Sequence, residues 1–334
     1  MRVLVTGGTG FIGSRLALEL RRQGHPVVVA GRLNSEAERM RFQELAIAGI
    51  GLEQGSLQDA EYARRITLGC GAVIHLAAAQ HEANVADDYF FDVNVTGTRT
   101  LLEASKLAGV RRFVYGSTIG IYGEYRGQPL DESAPPRPVN VYGRSKLRAE
   151  EVVNSYRDAL ETSIVRISET YGPGDFRLLK LFRAIERGRF IIIGSGRNCR
   201  QAIHVADLMN GLLLAATSPA AVGETFVMAG EEIMTTSEMV QQVAHALGRS
   251  PSRWRAPMWP FLAVAVMLER TLSPFGIQPP LHRRRLDFFR KSFVFSTAKA
   301  RTLLNFTPTV PFAAGAAETV AWYRQGGYLS SNQP

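Results

Sequence analysis

Residues 3–13 of this chain, Val-Leu-Val-Thr-Gly-Gly-Thr-Gly-Phe-Ile-Gly, leave it few folds to choose from. Val3, Leu4 and Val5 form a short apolar run suited to a strand buried on both faces of a parallel sheet. A turn carrying Gly7, Gly10 and Gly13 follows at once. Ser14–Arg22 then reads as a helix, with Leu16, Ala17 and Leu20 on one side and Arg15, Glu19 and Arg22 on the other. Strand, glycine turn and helix in that order set a dinucleotide pyrophosphate against unpaired N–H groups and the positive end of a helix dipole. Side chains at the turn would keep backbone from phosphate, and one at the helix start would keep helix from strand. A glycine-rich turn also serves as a plain structural corner, but its place directly after a first strand favours the dinucleotide.

The 334 residues, 46% hydrophobic and 21% charged, suit a globular chain with a substantial core, in one large domain or two smaller ones. Cys70 and Cys199 lie far apart and fit no metal-ligand spacing, so free thiols and no metal are expected. The first strand leaves no room for a signal peptide ahead of it, and a reducing cytoplasm is the expected compartment. The net charge of +9 is scattered in short clusters such as Arg21-Arg22, Arg111-Arg112 and Arg283-Arg284-Arg285. No nucleic-acid-binding motif accompanies them, so no nucleic-acid partner is expected. An anionic ligand, an anionic membrane surface or plain solvated charge accounts for the excess.

Val27–Ala30 gives a second buried strand, and its end is informative. A carboxylate is expected about 20 residues after the glycine turn when the cofactor is NAD, to hold the ribose hydroxyls. Here stand Gly31 and Arg32. Nothing repels a 2′-phosphate, and a guanidinium pairs with one in bidentate fashion, so NADP(H) is expected over NAD. The alternative is an Arg32 that merely projects into solvent. Further strands are expected near 50–54, over 73–78, 113–115 and 163–166, from Phe190 to Ile193, and near Thr225–Met228. His75 reads as a packed core histidine. One long helix is expected over 88–108. Tyr142-Gly143-Arg144-Ser145-Lys146 places a phenol and an ammonium on one helix face. A phenol of ordinary pKa, about 10, is a poor base near neutrality. A neighbouring ammonium and the positive ring of an oxidised nicotinamide bring it toward the working range. Trp254–Phe275 is rich in apolar residues (Trp259, Phe261, Leu262, Val264, Val266, Met267, Leu268), yet its uninterrupted length falls short of the roughly 20 residues of a bilayer span. It lines a pocket, touches a membrane peripherally, or is a buried helix, the commonest case.

Thr-Gly-Gly-Thr-Gly-Phe-Ile-Gly over 6–13, His75-Leu76-Ala77-Ala78, Asn94-Val95-Thr96-Gly97-Thr98, the Tyr142/Lys146 pair and Tyr171-Gly172-Pro173 resemble the extended short-chain dehydrogenase/reductases, the NAD-dependent epimerase/dehydratase family. The resemblance implies an α/β fold, a Rossmann-type doubly wound parallel sheet with a smaller C-terminal substrate lobe. Residues 1–168, with 206–230 returning, would form the NAD(P)-binding domain, and 169–205 with 231–334 mainly the lobe. Cofactor contacts are implied for Gly7, Gly10, Phe11, Ile12, Gly13, Arg32, Leu76, Ala77, Ala78, Tyr142 and Lys146. Ser56 and Leu57 join them, where the family usually reads Gly-Asp-Leu. Asn94 would hold neighbouring backbone, and Gly97 would permit close helix packing. Thr118 falls where the catalytic Ser or Thr stands, Tyr142 would exchange the hydroxyl proton, and Lys146 would tune it and reach the nicotinamide ribose.

Substrate contacts are implied for Gln80, Ser117, Glu169 and Arg200. Glu169 replaces an Asn that contacts the substrate diphosphate in sugar-nucleotide enzymes, and a carboxylate there is repulsive. Arg200 matches an Arg that binds substrate phosphate, a structural salt bridge being the alternative. His204 and Asp207 are expected to organise a helix start. Asp131–Pro135 resembles the sugar enzymes. Gly31-Arg32, Glu169, Pro279-Pro280-Leu281-His282-Arg283 and Phe295–Ala300 resemble sterol-type and dihydroflavonol-type reductases. The implied activity is reversible hydride transfer at a secondary alcohol or ketone of a small molecule. A nucleotide-sugar epimerase or dehydratase comes first, an NADP-dependent reductase of hydrophobic substrates second, and a non-catalytic NADP(H) sensor third. A homodimer through the helices over 88–108 and 142–158 is implied as well.

Overall fold

The apolar runs line up side by side in one sheet in the computed structural model, which describes residues 1–80, 85–123, 129–251, 254–272, 279, 281 and 283–330. β1 (Val3–Thr6) leads into α1 (Phe11–Arg22), β2 (Val27–Gly31), α2 (Glu36–Ile47), β3 (Leu52–Gln54), α3 (Ala60–Thr67) and β4 (Ala72–His75). The helix expected over 88–108 is interrupted: α4 (Asp87–Phe91) passes through a π-helical turn (Asp92–Thr96) into α5 (Gly97–Leu107). β5 (Arg112–Thr118), α6 (Val141–Asn154) and β6 (Glu161–Ile167) complete the first part. The chain then leaves the sheet through β7 (Thr170–Tyr171), α7 (Leu179–Glu186), β8 (Ile192–Ile193), β9 (Cys199–Arg200) and β10 (Ile203–His204). It returns by α8 (Val205–Thr217) and β11 (Thr225–Met228). Last come β12 (Met234–Thr235), α9 (Thr236–Ala246), β13 (Arg255–Ala256), α10 (Met258–Leu272), α11 (Arg283–Arg290), α12 (Ala298–Leu304) and α13 (Phe312–Gln325).

The seven strands run in the order β3-β2-β1-β4-β5-β6-β11, every neighbour parallel. Parallel strands need crossovers, and right-handed ones place helices on both faces. α1 and α8 cover one face with Leu16, Leu20, Leu208 and Leu212. α3, α5 and α6 cover the other with Ile66, Leu101, Leu102, Val152 and Val153. The strand order reverses between β1 and β4, so the turns that follow these two strands diverge and leave a crevice. α7, α9 and α13 pack beyond the sheet around Phe182, Val240, Val243, Val320 and Tyr323. The segment over 298–306, which the sequence leaves with that outer group, packs instead on the sheet: Ala300, Leu304 and Phe306 share a core with Phe226 and Met228.

His75 is the buried core histidine expected, and it ties three elements together. Its Nδ1 lies 2.6 Å from Thr6 Oγ1 and its Nε2 2.9 Å from Thr98 Oγ1. Thr98 donates its own proton to Asn94 O at 2.6 Å, so it accepts from His75 Nε2–H, and Nδ1 accepts from Thr6. Burial lowers the His75 pKa from 6.5 to about 3, with the Lys146 charge adding to the effect. As pH falls below 6.5 the unfolded chain takes up a proton that the folded one refuses, so stability is lost progressively toward pH 3. Two pH units below the ordinary value the expected loss from this residue is about 2–3 kcal/mol. Urea unfolding across that range should show the slope, and His75→Gln should flatten it.

Of the three readings open for the apolar stretch that forms α10, the buried helix does not hold. Of its side chains only Ala265 is fully buried, while Trp259, Val264 and Met267 are exposed. Residues 273–275 of the same apolar segment, and Pro280 and His282 of the proline-rich stretch, lie outside the described residues. Among the described residues no helix is long and apolar enough to cross a membrane. Cys70 and Cys199 are both free thiols.

Candidate active site

The crevice begins where the turns after β1 and β4 touch. Gly7 sits at φ +67°, and a Cβ there would meet Ala77 N at 2.7 Å. A Cβ at Gly13 would meet Gly7 O at 2.3 Å. Both positions therefore exclude any larger residue. Gly10, at the N-cap of α1, brings no side-chain cap, so the first-turn N–H groups stay available to a ligand. A cavity of about 1010 Å³ runs from here along the carboxyl ends of the strands. Gly7, Gly10, Phe11, Ile12, Gly13, Arg32, Leu57, Leu76, Ala77 and Ala78 line one part, and Gln80, Ser117, Thr118, Tyr142, Lys146, Glu169 and Arg200 the rest. The cradle and its unpaired donors fit an anionic dinucleotide.

Ser56 is the exception among the expected cofactor residues. Its hydroxyl donates to Gln58 Oε1 and accepts from Gln58 N–H, closing a local turn, and Gly55, Leu57 and Gln58 reach the cavity in its place. Arg32 is exposed at the cavity edge. Its N–H donates to Thr9 Oγ1 at 3.3 Å and its guanidinium to Tyr89 Oη at 3.1 Å. Arg41 was not anticipated. Buried at the cavity, it donates to Thr9 O at 3.4 Å and Gly174 O at 3.1 Å and lies over the Phe176 ring. Its only sequence signal is its place on the helix that opens with the Ser35/Glu38 capping box.

The reacting end is organised by the start of α6. Asn140 caps the helix, accepting from Gly143 N–H at 2.8 Å. Gly143 packs so closely that a Cβ would meet Gly120 O at 2.8 Å. That contact sets Tyr142 beside the end of β5. Thr118 Oγ1 accepts from Gly120 N–H at 3.0 Å, which leaves its own proton for a ligand. Lys146 is 1% exposed, donates to Gly116 O at 2.7 Å, and stands 4.1 Å from the centre of the Tyr115 ring. Burial brings its pKa down to about 7, with Glu150 opposing the shift. The ammonium that the sequence places beside the phenol is therefore held less firmly charged than an ordinary lysine. Asn94, in the π turn, accepts from Ala79 N–H at 2.7 Å and donates to Ala79 O and Ser145 Oγ at 3.0 and 2.8 Å. It thus clamps the turn after β4 to α6, and the Gly97 backbone packs against Leu57.

Ser117 does not offer its donor to a substrate. Ser117 borders the cavity beside Thr118, but its proton points into the fold. Its hydroxyl donates to Glu150, which also holds Arg166 at 2.8 Å. Arg166 donates further to Tyr122 Oη at 2.6 Å and Glu132 O at 3.1 Å. This buried network went unread, although Tyr142, Lys146 and Glu150 recur every four residues and share one helix face. Glu169 and Arg200 pair with each other at 3.0 Å, so the structural salt bridge is present. The Arg200 guanidinium stands 4.2 Å from the centre of the Phe288 ring, and its buried Nε and Nη1 have no hydrogen-bond partner among the described residues. His204 occupies the N-cap of α8 without a side-chain cap, its imidazole 3.6 Å from Glu318. Asp207 does not cap the helix either: it accepts from the N–H groups of Thr309 and Val310 at 2.9 and 3.1 Å and pins that segment.

A glycine cradle at the point where strand order reverses, with Thr, Tyr and Lys beside it, defines an NAD(P)-dependent enzyme of the extended short-chain dehydrogenase/reductase type. Residues 3–229 match the NAD dependent epimerase/dehydratase family, and the chain belongs to it. The chain is 32% identical over 338 residues to a UDP-glucose 4-epimerase of Mycolicibacterium smegmatis, covering 97% of this chain and 99% of that one. Its structure is similar to that of a dTDP-glucose 4,6-dehydratase of Streptomyces venezuelae solved with NAD bound, with TM-score 0.78, 28% identity and 97% of each chain covered. A putative dihydroflavonol 4-reductase of Synechocystis is 27% identical over 98% of this chain and 96% of its own.

Proposed function

We propose that the substrate is a nucleotide-linked sugar, oxidised and reduced reversibly at a secondary hydroxyl as an epimerase or dehydratase requires. The observation that carries this reading is Arg200: beyond its ion pair with Glu169, this buried guanidinium at the cavity wall keeps two nitrogens unpartnered among the described residues, donors suited to a diphosphate. The names of the epimerase and dehydratase relatives support it. A dinucleotide held by the glycine cradle would supply the hydride acceptor and donor. Thr118 donates a hydrogen bond to the reacting oxygen, and Tyr142 as phenolate takes up the hydroxyl proton when the alcohol is oxidised and returns it on reduction. Lys146, anchored on Gly116 O, brings positive charge to the phenol when protonated. Incubation with UDP- and dTDP-hexoses followed by product analysis tests the reading; conversion of none of them would contradict it.

A second reading rests on one observation. Leu178, Leu181, Phe182, Met239, Val243 and Phe312 line the far end of the cavity, an apolar wall suited to a hydrophobic ketone or alcohol. Such a reductase would consume reduced cofactor stoichiometrically, which its absorbance follows. A non-catalytic NADP(H) sensor would bind cofactor tightly and turn over neither substrate class.

We further assign residues 1–168 and 206–230 to the dinucleotide and 169–205 with most of 231–334 to the substrate. NADP is the preferred cofactor, because Arg32, and not a carboxylate, directly follows β2, and both Arg32 and Arg41 line the cavity that the glycine turn opens. NADP should bind roughly tenfold more tightly than NAD, and Arg32→Ala should remove most of the difference by calorimetry. Tighter binding of NAD would contradict the preference. Homodimerisation through the outer faces of α5 and α6, and residence in a reducing cytoplasm, complete the proposal.

A further inference from the structure

α10 presents an apolar face to solvent. Trp259 is 73% exposed, Met267 56% and Val264 42%, and Ala263 lies among them. At helical spacing these residues fall on one side, with exposed Arg270 at its C-terminal end. Trp254, 74% exposed, stands just ahead of β13 and the helix, so two of the chain's three tryptophans belong to this surface. α10 packs on α11.

Charge is concentrated in the same stretch. Residues 249–291 hold nine Arg and Lys against two Asp and Glu, a net +7 out of the +9 of the whole chain. Arg249, Arg255, Arg270 and Arg290 are exposed. Apolar side chains and tryptophan on one helix face, bordered by cations, suit the boundary between headgroups and acyl chains of an anionic bilayer. A second copy suits it poorly, because a two-fold interface would set this cationic surface against itself.

We propose that the protein docks reversibly on anionic membranes, with the exposed face of α10 and Trp254 entering the interface. The docked helix lies one helix away from the cavity, since Phe288 of α11 lines the cavity's far end. Docking is independent of which substrate the site takes.

Flotation of the full chain with phosphatidylcholine vesicles, with and without phosphatidylglycerol, tests the proposal. The protein should float with the phosphatidylglycerol vesicles alone, less so at high salt, and its tryptophan emission should move to the blue. Trp259→Ser combined with Met267→Ser should weaken binding roughly tenfold or more and leave dinucleotide affinity unchanged. Arg270→Glu should weaken it severalfold. Failure to float with anionic vesicles would overturn the proposal, as would unaltered flotation of the double variant. A lipid-free dimer that the double variant dissociates, with no lipid binding by the wild type, would assign the face to a second copy instead.

Discussion

Tyr142→Phe is expected to lower kcat by about 10³-fold while changing dinucleotide affinity by less than about tenfold. The substitution removes only the hydroxyl. The helix start remains held by the Asn140 cap and by the Gly143–Gly120 contact, so the ring keeps its place. Lys146 cannot take over, because it is buried and committed to Gly116 O. Thr118 retains its donor but has no base beside it, and an aliphatic hydroxyl is a far weaker acid than a phenol. Steady-state turnover and calorimetric cofactor binding on the same preparation separate chemistry from binding. Full turnover by the variant would remove Tyr142 from the reaction.

Arg166→Leu should destabilise the fold by about 3–5 kcal/mol, because it leaves the Glu150 carboxylate buried without its cation. Both side chains are nearly inaccessible, at 9% and 4% exposure, so water cannot replace the lost partner. Tyr122 Oη and Glu132 O lose their donor at the same time. Combining it with Glu150→Leu should restore a substantial part of the loss, since removing both charges also removes the desolvation they impose. Urea unfolding of the three proteins measures this. A loss below about 1 kcal/mol for the single variant would mean that the pair is hydrated.

The strands were legible because a parallel sheet buried on both faces demands uninterrupted apolar runs, as in Val3–Val5 and Val27–Ala30. The glycine cradle was legible because backbone must touch backbone at Gly7 and Gly13, and the Tyr142/Lys146 pair because helical spacing puts them on one face. The π turn at 92–96 was not, since one added residue in a helix barely disturbs its hydrophobic period. Arg166 and Glu150 belong to different elements, and only the sheet and α6 together make them neighbours. Ser117 and Thr118 look alike in sequence, and only the folded chain shows that the Ser117 proton is committed to Glu150 while that of Thr118 is not. Ser56 was misread because its turn bends the hydroxyl onto Gln58. The role of α10 stays open in sequence for a further reason: apolar composition says which residues avoid water, not what covers them.

Hydride passage between substrate and nicotinamide is the central claim, and an isotope tests it most directly. UDP- and dTDP-glucose carrying deuterium on the carbon of the reacting hydroxyl should, after rapid quenching, leave deuterium in the reduced dinucleotide, and Tyr142→Phe should suppress the signal. Product formed with no deuterium ever present in the dinucleotide would contradict the account.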